Sequence, residues 1–180
     1  MRLAGRAAFI TGAAKGIGLA VAKAFAAEGA QVALADLSGD DACAEAAAIE
    51  AECGVRAIGL DCNVADSASL KAAVDAAAKS FGKLDTLACM AATLTARLDV
   101  VDLSEEDWER TVRVNLTGSF LACKHVIPHM RTAGGGSIIL TASQMGQVAW
   151  PGSTAYCTTK GAILQLVKGV ALDHKDENIR

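Results

Sequence analysis

Short apolar runs alternate with helical segments along this chain of 180 residues, and the alternation constrains its fold more than any other feature. A strand buried on both faces of a sheet is continuously apolar, whereas a helix repeats apolar residues every three or four positions. The continuous runs predict strands at 6–11, 31–36, 55–60, 84–89 and 137–141. The helical pattern occurs at 17–28, at 40–53, at 67–81, from 104 to about 130, and at 156–174. This order predicts one α/β domain over residues 1–180, with a parallel, doubly wound sheet and helices on both faces.

The composition excludes several classes of protein. Hydrophobic residues make up 52% of the chain and charged residues 21%, so the chain can bury a core and is not disordered. The net charge of −3 is mixed along the chain and leaves no basic stripe for nucleic acid or for an anionic membrane surface. The apolar runs are far shorter than the roughly 20 residues that span a bilayer. We interpret the apolar start of the chain as a strand and not as a secretory leader, because it runs into a glycine-rich turn.

The cysteines and histidines indicate neither disulfides nor a metal site. No two of the six cysteines have CxxC spacing, which predicts reduced thiols in a cytoplasmic protein. His125 and His129 are four residues apart and lie near Cys123. A metal ion needs further ligands, and Pro128 disturbs the local helix geometry. We therefore assign no metal.

A glycine-rich turn connects the first predicted strand to the first predicted helix. It reads TGAAKGIG over residues 11–18, with glycines at 12, 16 and 18. Glycine permits positive φ and close approach of a phosphate to the backbone, and the helix N-terminus offers unpaired N–H groups. The turn therefore predicts a dinucleotide-binding site.

Asp36 ends the second predicted strand and indicates which dinucleotide is bound. A carboxylate at this place accepts hydrogen bonds from the ribose hydroxyls of NAD and repels the 2′-phosphate of NADP. Lys15 acts in the opposite sense, since a cation in the turn can meet that phosphate. We weigh Asp36 more heavily and predict NAD as the preferred cofactor.

The only tyrosine lies four residues before a lysine, in the segment Tyr156-Cys157-Thr158-Thr159-Lys160. Residues four apart share a helix face, and an ammonium beside a phenol favours the phenolate. Such a pair can exchange a proton with a hydroxyl while hydride moves to the cofactor. Ser143 follows the fifth predicted strand, where open α/β sheets bind ligands, and its hydroxyl could hold the reacting oxygen.

Together these residues resemble the short-chain dehydrogenase/reductase family. The segments TGAAKGIG, Asp36, VNLTGSF with Asn115, SIILTAS with Ser143, and YCTTK occur in the family's order across essentially the whole chain. The resemblance implies a Rossmann-type three-layer sandwich, here with five of the usual seven strands. It also implies homodimers or homotetramers formed through the helices around 104–130 and 156–174.

The resemblance further implies the role of each site residue. Tyr156 is the general acid/base, Ser143 orients the substrate oxygen, Lys160 lowers the tyrosine pKa and holds the nicotinamide ribose, and Asn115 supports a water that relays protons. The implied cofactor-binding set is Gly12, Ala14, Lys15, Gly16, Ile17, Gly18, Asp36, Leu37, Asn63, Val64, Ala91, Tyr156 and Lys160.

The sequence departs from the family's pattern at three places. Cys89-Met90-Ala91-Ala92 replaces the usual Asn-Asn-Ala-Gly, so we expect a looser wall on the adenosine side or a compensating contact. Asn63-Val64 replaces Asp-Val, and the asparagine can still bond the adenine amino group. The sequence stops at Arg180, before the family's last strands and substrate lid, so we expect the fifth strand to be an uncovered apolar edge.

Two functions follow as hypotheses. The first is an oxidoreductase that transfers hydride between NAD(H) and a secondary alcohol or ketone, with residues 93–99 and 144–154, including Met145 and Trp150, along the substrate wall. The alternative is a catalytically inactive fragment that binds dinucleotide or only dimerises. Another doubly wound enzyme, such as a methyltransferase, leaves Ser143, Tyr156 and Lys160 without a role.

Overall fold

Five parallel strands form one sheet in the computed structural model, which describes all residues from 1 to 180. The strands are β1 (Ala7–Thr11), β2 (Gln31–Asp36), β3 (Ala57–Asp61), β4 (Thr86–Cys89) and β5 (Ser137–Leu140). Their order across the sheet is β3-β2-β1-β4-β5. The order in which successive strands are added therefore reverses between β1 and β4. At such a point an open α/β sheet forms a ligand crevice, beyond the carboxyl ends of its strands.

Helices follow the strands and are bounded by local signals. They are α1 (Gly16–Ala27), α2 (Gly39–Cys53), α3 (Ser67–Phe81), α4 (Glu105–Thr111), α5 (Gly118–Thr132) and α6 (Thr154–Asp173). The Asp66 side chain caps α3 by accepting hydrogen bonds from the N–H groups of Ala68 and Ser69. Gly82 ends the same helix in the left-handed conformation, with φ of 76°. The predicted α/β fold is confirmed.

Two apolar clusters pack on opposite faces of the sheet. Phe9 and Leu87 point to the face covered by α3 and α5, where Val74 and Val126 are fully buried. Ile10 and Leu34 point to the other face, covered by α1 and α2. Because side chains alternate along a strand, neighbouring residues of β1 serve both clusters. Both faces of the sheet are therefore covered by helices.

The helix predicted from 104 to about 130 has an internal irregularity. Between α4 and α5 the segment Val112–Thr117 winds as a π-helix, so the three pieces run on without a break. A π-helical turn inserts extra backbone and is frequent at functional sites. Pro128 lies inside α5 without ending it. None of the helices combines the length and apolar character needed to cross a bilayer.

The expectation that β5 is an uncovered edge is wrong for the first half of that strand. Residues after α6 return to it, and Ile179 forms a parallel bridge with Gly136. The Ile138 N–H donates to the Arg180 carbonyl over 2.8 Å, and the Arg180 N–H donates to the Gly136 carbonyl over 3.1 Å. The left-handed residue Asn178, with φ of 56°, makes this return possible. An unpaired strand edge presents free N–H and C=O groups, which such a segment can pair.

Candidate active site

The glycine-rich turn leaves open space in front of α1. Gly12 and Gly16 have positive φ, at 64° and 59°, and no atom lies within 4 Å of the place where a Cβ of Gly16 would be. Gly18 packs so closely that its Cβ would stand 2.1 Å from the Gly12 carbonyl oxygen. No side chain caps the N-terminus of α1. The turn therefore presents free N–H groups to an anion, as a pyrophosphate requires.

Asp36 is held in place from two sides. One carboxylate oxygen accepts the Ala14 N–H over 3.0 Å, and the other accepts the Ser38 N–H over 3.2 Å. Each oxygen keeps a further lone pair for another donor. The carboxylate is thus fixed beside the glycine-rich turn, at a place where it can accept the hydroxyl groups of a ribose.

A cleft of about 370 Å³ lies at the carboxyl ends of the strands. It contains seven of the predicted cofactor-binding residues: Gly12, Lys15, Asp36, Leu37, Asn63, Val64 and Ala91. Ala14 and Gly18 are buried behind the turn, whereas Gly16 and Ile17 are exposed at the start of α1. A larger cleft of about 620 Å³ opens at the opposite end of the sheet and contains none of the predicted site residues.

Sequence reasoning missed three residues that line the smaller cleft: Cys62, Arg110 and Val114. Met90 and Ala92 line it as parts of the predicted wall on the adenosine side, and Thr93 lines it although it was predicted on the substrate wall. The four-residue spacing of Arg110 and Val114 places both on one helix face and could have drawn attention to that face. Arg110 also pairs with Asp107 one turn earlier. The cleft is therefore lined by two cations, Lys15 and Arg110, in addition to Asp36.

The wall that replaces Asn-Asn-Ala-Gly is tied to both neighbouring strands. The buried Thr11 hydroxyl oxygen accepts the N–H groups of Met90 and Ala91 over 3.1 and 3.2 Å. On the other side, the Thr141 hydroxyl donates to the Met90 sulfur over 3.0 Å. These contacts are the compensation that the sequence left open, and the wall is not loose. Nearby, the Asn63 side-chain oxygen accepts the Ala65 N–H over 3.0 Å.

Tyr156 and Lys160 share one face of α6, as their spacing predicts. The Lys160 Nζ lies 5.6 Å from the centre of the Tyr156 ring. Lys160 is only 3% exposed, and its ammonium donates to the Thr141 carbonyl over 2.6 Å. Burial lowers the pKa of Lys160 because a charge is poorly solvated there. Tyr156 is half-buried, and its hydroxyl makes no hydrogen bond within the chain, so it is free to meet a substrate.

Ser143 caps a short turn that packs against the same helix. Its hydroxyl oxygen accepts the Met145 N–H over 3.1 Å and caps the 3₁₀ turn Gln144–Gly146. A Cβ on Gly146 would stand 2.6 Å from the Lys160 carbonyl oxygen, so only glycine allows this close approach. The end of β5 is thereby held against the part of α6 that carries Tyr156 and Lys160. The Ser143 hydroxyl keeps its proton available for donation.

Asn115 lies in the π-helical segment and joins three parts of the chain. It is 1% exposed, and its side-chain oxygen accepts the Thr93 N–H over 2.7 Å. Its amide donates to the Thr93 carbonyl over 3.0 Å and to the Thr159 hydroxyl over 3.3 Å. The side chain therefore connects the loop after β4 to the residue that precedes Lys160.

The histidines and cysteines have other partners. His125 is hydrogen bonded to Ser67, and His129 to Asp75. All six cysteines are free thiols, and burial raises the pKa of Cys123 to about 12. No group of three or more His, Cys, Asp or Glu side chains is arranged to hold a metal ion.

Similarity to known proteins shows the family of this chain. A model of the short chain dehydrogenase family matches residues 6–180. D-threitol dehydrogenase from Mycolicibacterium smegmatis is 42% identical over 180 residues, which cover 99% of this chain and 68% of that protein. The chain belongs to the short-chain dehydrogenase family. It is therefore a dehydrogenase of the kind that acts on CH–OH groups.

Two further proteins are similar to this short-chain dehydrogenase. A 2,5-dichloro-2,5-cyclohexadiene-1,4-diol dehydrogenase from Sphingobium indicum is 40% identical, over 99% of this chain and 71% of that protein. The crystal structure of carveol dehydrogenase from Mycobacterium avium in complex with NAD superposes with a TM-score of 0.95 at 30% identity. That match covers 99% of this chain and 69% of the other. The fold is therefore that of solved family members.

Proposed function

We propose that this short-chain dehydrogenase transfers hydride between NAD(H) and a secondary alcohol or its ketone, with Tyr156 as general acid/base. The observation that carries the proposal is the buried Lys160 ammonium 5.6 Å from the Tyr156 ring. Both lie on α6, next to the turn that holds Ser143. The cleft containing Asp36 opens at the same edge of the sheet. The Tyr156–Lys160 pair and the dinucleotide cleft thus lie at the same end of the sheet, an arrangement that suits alcohol oxidation.

The proton chemistry follows from charge and hydrogen bonding. In alcohol oxidation a base at Tyr156 takes the hydroxyl proton, and in ketone reduction the phenol returns it. The Lys160 ammonium lies 5.6 Å from the centre of the Tyr156 ring in a poorly solvated place, so its charge acts on the proton transfer with little screening by water. Ser143 donates a hydrogen bond to the reacting oxygen, and the Asn115 amide holds the hydroxyl of Thr159, the residue before Lys160. Bound NAD⁺ supplies the hydride acceptor.

The residues of the cleft suit a dinucleotide. The open space at Gly16 and the uncapped start of α1 suit a pyrophosphate, and the fixed carboxylate of Asp36 suits an unmodified ribose. Lys15 and Arg110 offset part of the repulsion that Asp36 exerts on a 2′-phosphate. We infer that Asp36 decides the preference because it is the group fixed by two hydrogen bonds.

Calorimetric titration of the protein will show NADH binding about tenfold tighter than NADPH, a difference of about 1.4 kcal/mol. Asp36→Asn keeps the shape of the side chain and removes its charge, so the preference should fall to within about threefold. Asp40→Asn is the matched control, because Asp40 is an exposed carboxylate outside this cleft. Tighter binding of NADPH by the unaltered protein would contradict the inference from Asp36.

The substrate class is inferred from the relatives and from the remaining wall of the site. The relatives above are named for a linear polyol and for a cyclic diol. Residues 93–99 and 144–154 come into contact where Gly152 packs on Arg97. Val148 and Trp150 each keep 54% of their surface exposed there. We therefore propose a small polyol or cyclic diol, and a panel of both, followed by NADH formation, tests it.

A second candidate is a dinucleotide-binding protein without catalysis. Cys89-Met90-Ala91-Ala92, in place of the family's Asn-Asn-Ala-Gly, favours it. This candidate predicts NADH binding with no reduction of NAD⁺ by any alcohol of the panel. Turnover with one alcohol would dismiss it.

We also propose that α4, α5 and α6 pair two or four copies of the chain. Trp108, Phe120 and Val167 lie on these helices with 37%, 47% and 38% of their surfaces exposed. Burial of such side chains drives association. Light scattering should give the mass of a dimer or tetramer, and Phe120→Glu should lower it. A monomeric mass for the unaltered protein would contradict the proposal.

A further inference from the structure

Thr141 connects three groups at the centre of the site. Its N–H donates to the Cys89 carbonyl over 3.3 Å, and its hydroxyl donates to the Met90 sulfur over 3.0 Å. Its carbonyl accepts the Lys160 ammonium over 2.6 Å. Two bonds therefore tie Thr141 to the end of β4, and the third reaches α6. The hydroxyl–sulfur bond depends on Met90, which stands where the family usually has asparagine.

The Thr141 carbonyl is the one hydrogen-bond acceptor of the Lys160 ammonium within the chain. Lys160 is 3% exposed and forms no ion pair, so neither water nor a carboxylate offers an equal alternative. A hydrogen bond to a buried ammonium is strong and directional. The place of Nζ over the Tyr156 ring is therefore set by where the Thr141 carbonyl points.

We propose that Thr141 and Met90 are positioning residues for Lys160, with the thioether sulfur fixing the threonine and the threonine carbonyl fixing the ammonium. This inference rests on the proposed roles of Tyr156 and Lys160. It assigns a function to Met90, whose sulfur bonds to the Thr141 hydroxyl and not to Tyr156 or Lys160. It also explains how the site keeps its geometry although Met90 replaces the asparagine that the family usually has at this position.

The groups that titrate around Lys160 are few. Tyr156 lies on the same helix. Cys89 faces Lys160 from β4, and burial raises its pKa well above the ordinary value, so it is neutral near pH 7. Asn115 and the turn Gln144–Gly146 bring no charge. In α4, Asp107 and Arg110 pair with each other. No carboxylate therefore pairs with the Lys160 ammonium, and its hydrogen bond to the Thr141 carbonyl is the contact that the variants below perturb.

Thr141→Val and Met90→Leu each remove one half of the hydroxyl–sulfur bond at nearly constant volume. An ammonium that is held less well gives less stabilisation to the negative charge formed in the proton transfer, so alcohol oxidation should need a higher pH. We expect the midpoint of the pH–rate profile to rise by about half a unit to one unit in either variant. The double variant should shift no further than the single ones, because both remove the same contact. Met90→Gln returns an oxygen acceptor and should restore the profile.

A readout without turnover separates this inference from the proposed function. Lysine side-chain NMR of the cofactor-free protein follows the titration of Lys160 itself. The carbonyl favours the charged ammonium, so a misplaced carbonyl should lower the pKa of Lys160 further below its ordinary value. Thr132→Val is the control, since the Thr132 hydroxyl also makes one hydrogen bond, to the Pro128 carbonyl on α5. That variant should leave both the lysine titration and the pH–rate profile unchanged.

The outcomes are distinct. A lysine titration unchanged in Thr141→Val and Met90→Leu, with both proteins folded, would overturn the inference whatever the enzyme's activity. Retained turnover in Tyr156→Phe would overturn the proposed function and leave the NMR result standing as a test of position. Lower thermal stability with unchanged titration and pH–rate profile would reduce Thr141 and Met90 to structural residues and overturn the inference.

Discussion

Tyr156→Phe should lower the turnover number for alcohol oxidation about a thousandfold while NADH still binds. The change removes one hydroxyl from a half-buried ring and leaves its packing intact. General acid–base catalysis contributes about 10² to 10⁴ to a rate, and the Tyr156 hydroxyl is the group placed to supply it. The loss should appear equally in kcat and kcat/KM, because the proton moves only in the transition state.

Thr158→Val is the matched control for this variant. Thr158 lies on the exposed side of α6, two residues from Tyr156, and makes no side-chain hydrogen bond. Its replacement should leave turnover within about twofold. Steady-state kinetics and calorimetry on both variants make the comparison. If Tyr156→Phe kept a tenth or more of the turnover of the unaltered protein, another group would have to be the acid/base.

Gly18→Ala should abolish NADH binding and destabilise the protein. The new methyl group would lie 2.1 Å from the Gly12 carbonyl oxygen and 2.8 Å from its carbon. Both are backbone atoms, so the glycine-rich turn itself must move and the open space in front of α1 is lost. Overpacking of this kind costs about 1–3 kcal/mol. Urea unfolding measures the stability, and calorimetric titration measures the binding.

Gly169→Ala supplies the control, because Gly169 is also inside a helix but no atom lies within 4 Å of the place where its Cβ would be. Alanine is favoured over glycine in a helix by up to about 1 kcal/mol, so this variant should be neutral or more stable. Its NADH affinity should be unchanged. Equal NADH affinity in the Gly18 and Gly169 variants would show that the turn is not the phosphate site.

Lys160 links Tyr156 to Thr141 and Met90. The ammonium is buried without a counter-charge, which lowers its pKa, and the Thr141 carbonyl, the Tyr156 ring and the Cys89 thiol lie near it. Such a site is sensitive to small displacements, because electrostatic interactions are strong where water is excluded. Variants at Thr141 and Met90 are therefore informative although neither side chain is proposed to touch substrate.

Local patterns determined the fold and most of the candidate site. Apolar periodicity is set by neighbours along the chain, so α3 was predicted with its observed bounds, Ser67–Phe81, and β2 with its observed bounds, Gln31–Asp36. The glycine-rich turn, Asp36, and the Tyr156–Lys160 spacing are likewise short-range signals. Each of these signals has a physical explanation within a few residues, so it could be recognised from one sequence.

Only the tertiary structure decided how those signals meet. The Thr11 hydroxyl reaches Met90, 79 residues away, and Asn115 reaches Thr159, 44 residues away. The Thr141 carbonyl that holds Lys160, the π-helical turn at 112–117 and the pairing of Ile179 beside β5 have no local pattern. Such contacts depend on the path of distant backbone segments and on which polar groups burial leaves without water. Periodicity encodes which face of an element is buried, and packing alone selects its hydrogen-bond partners.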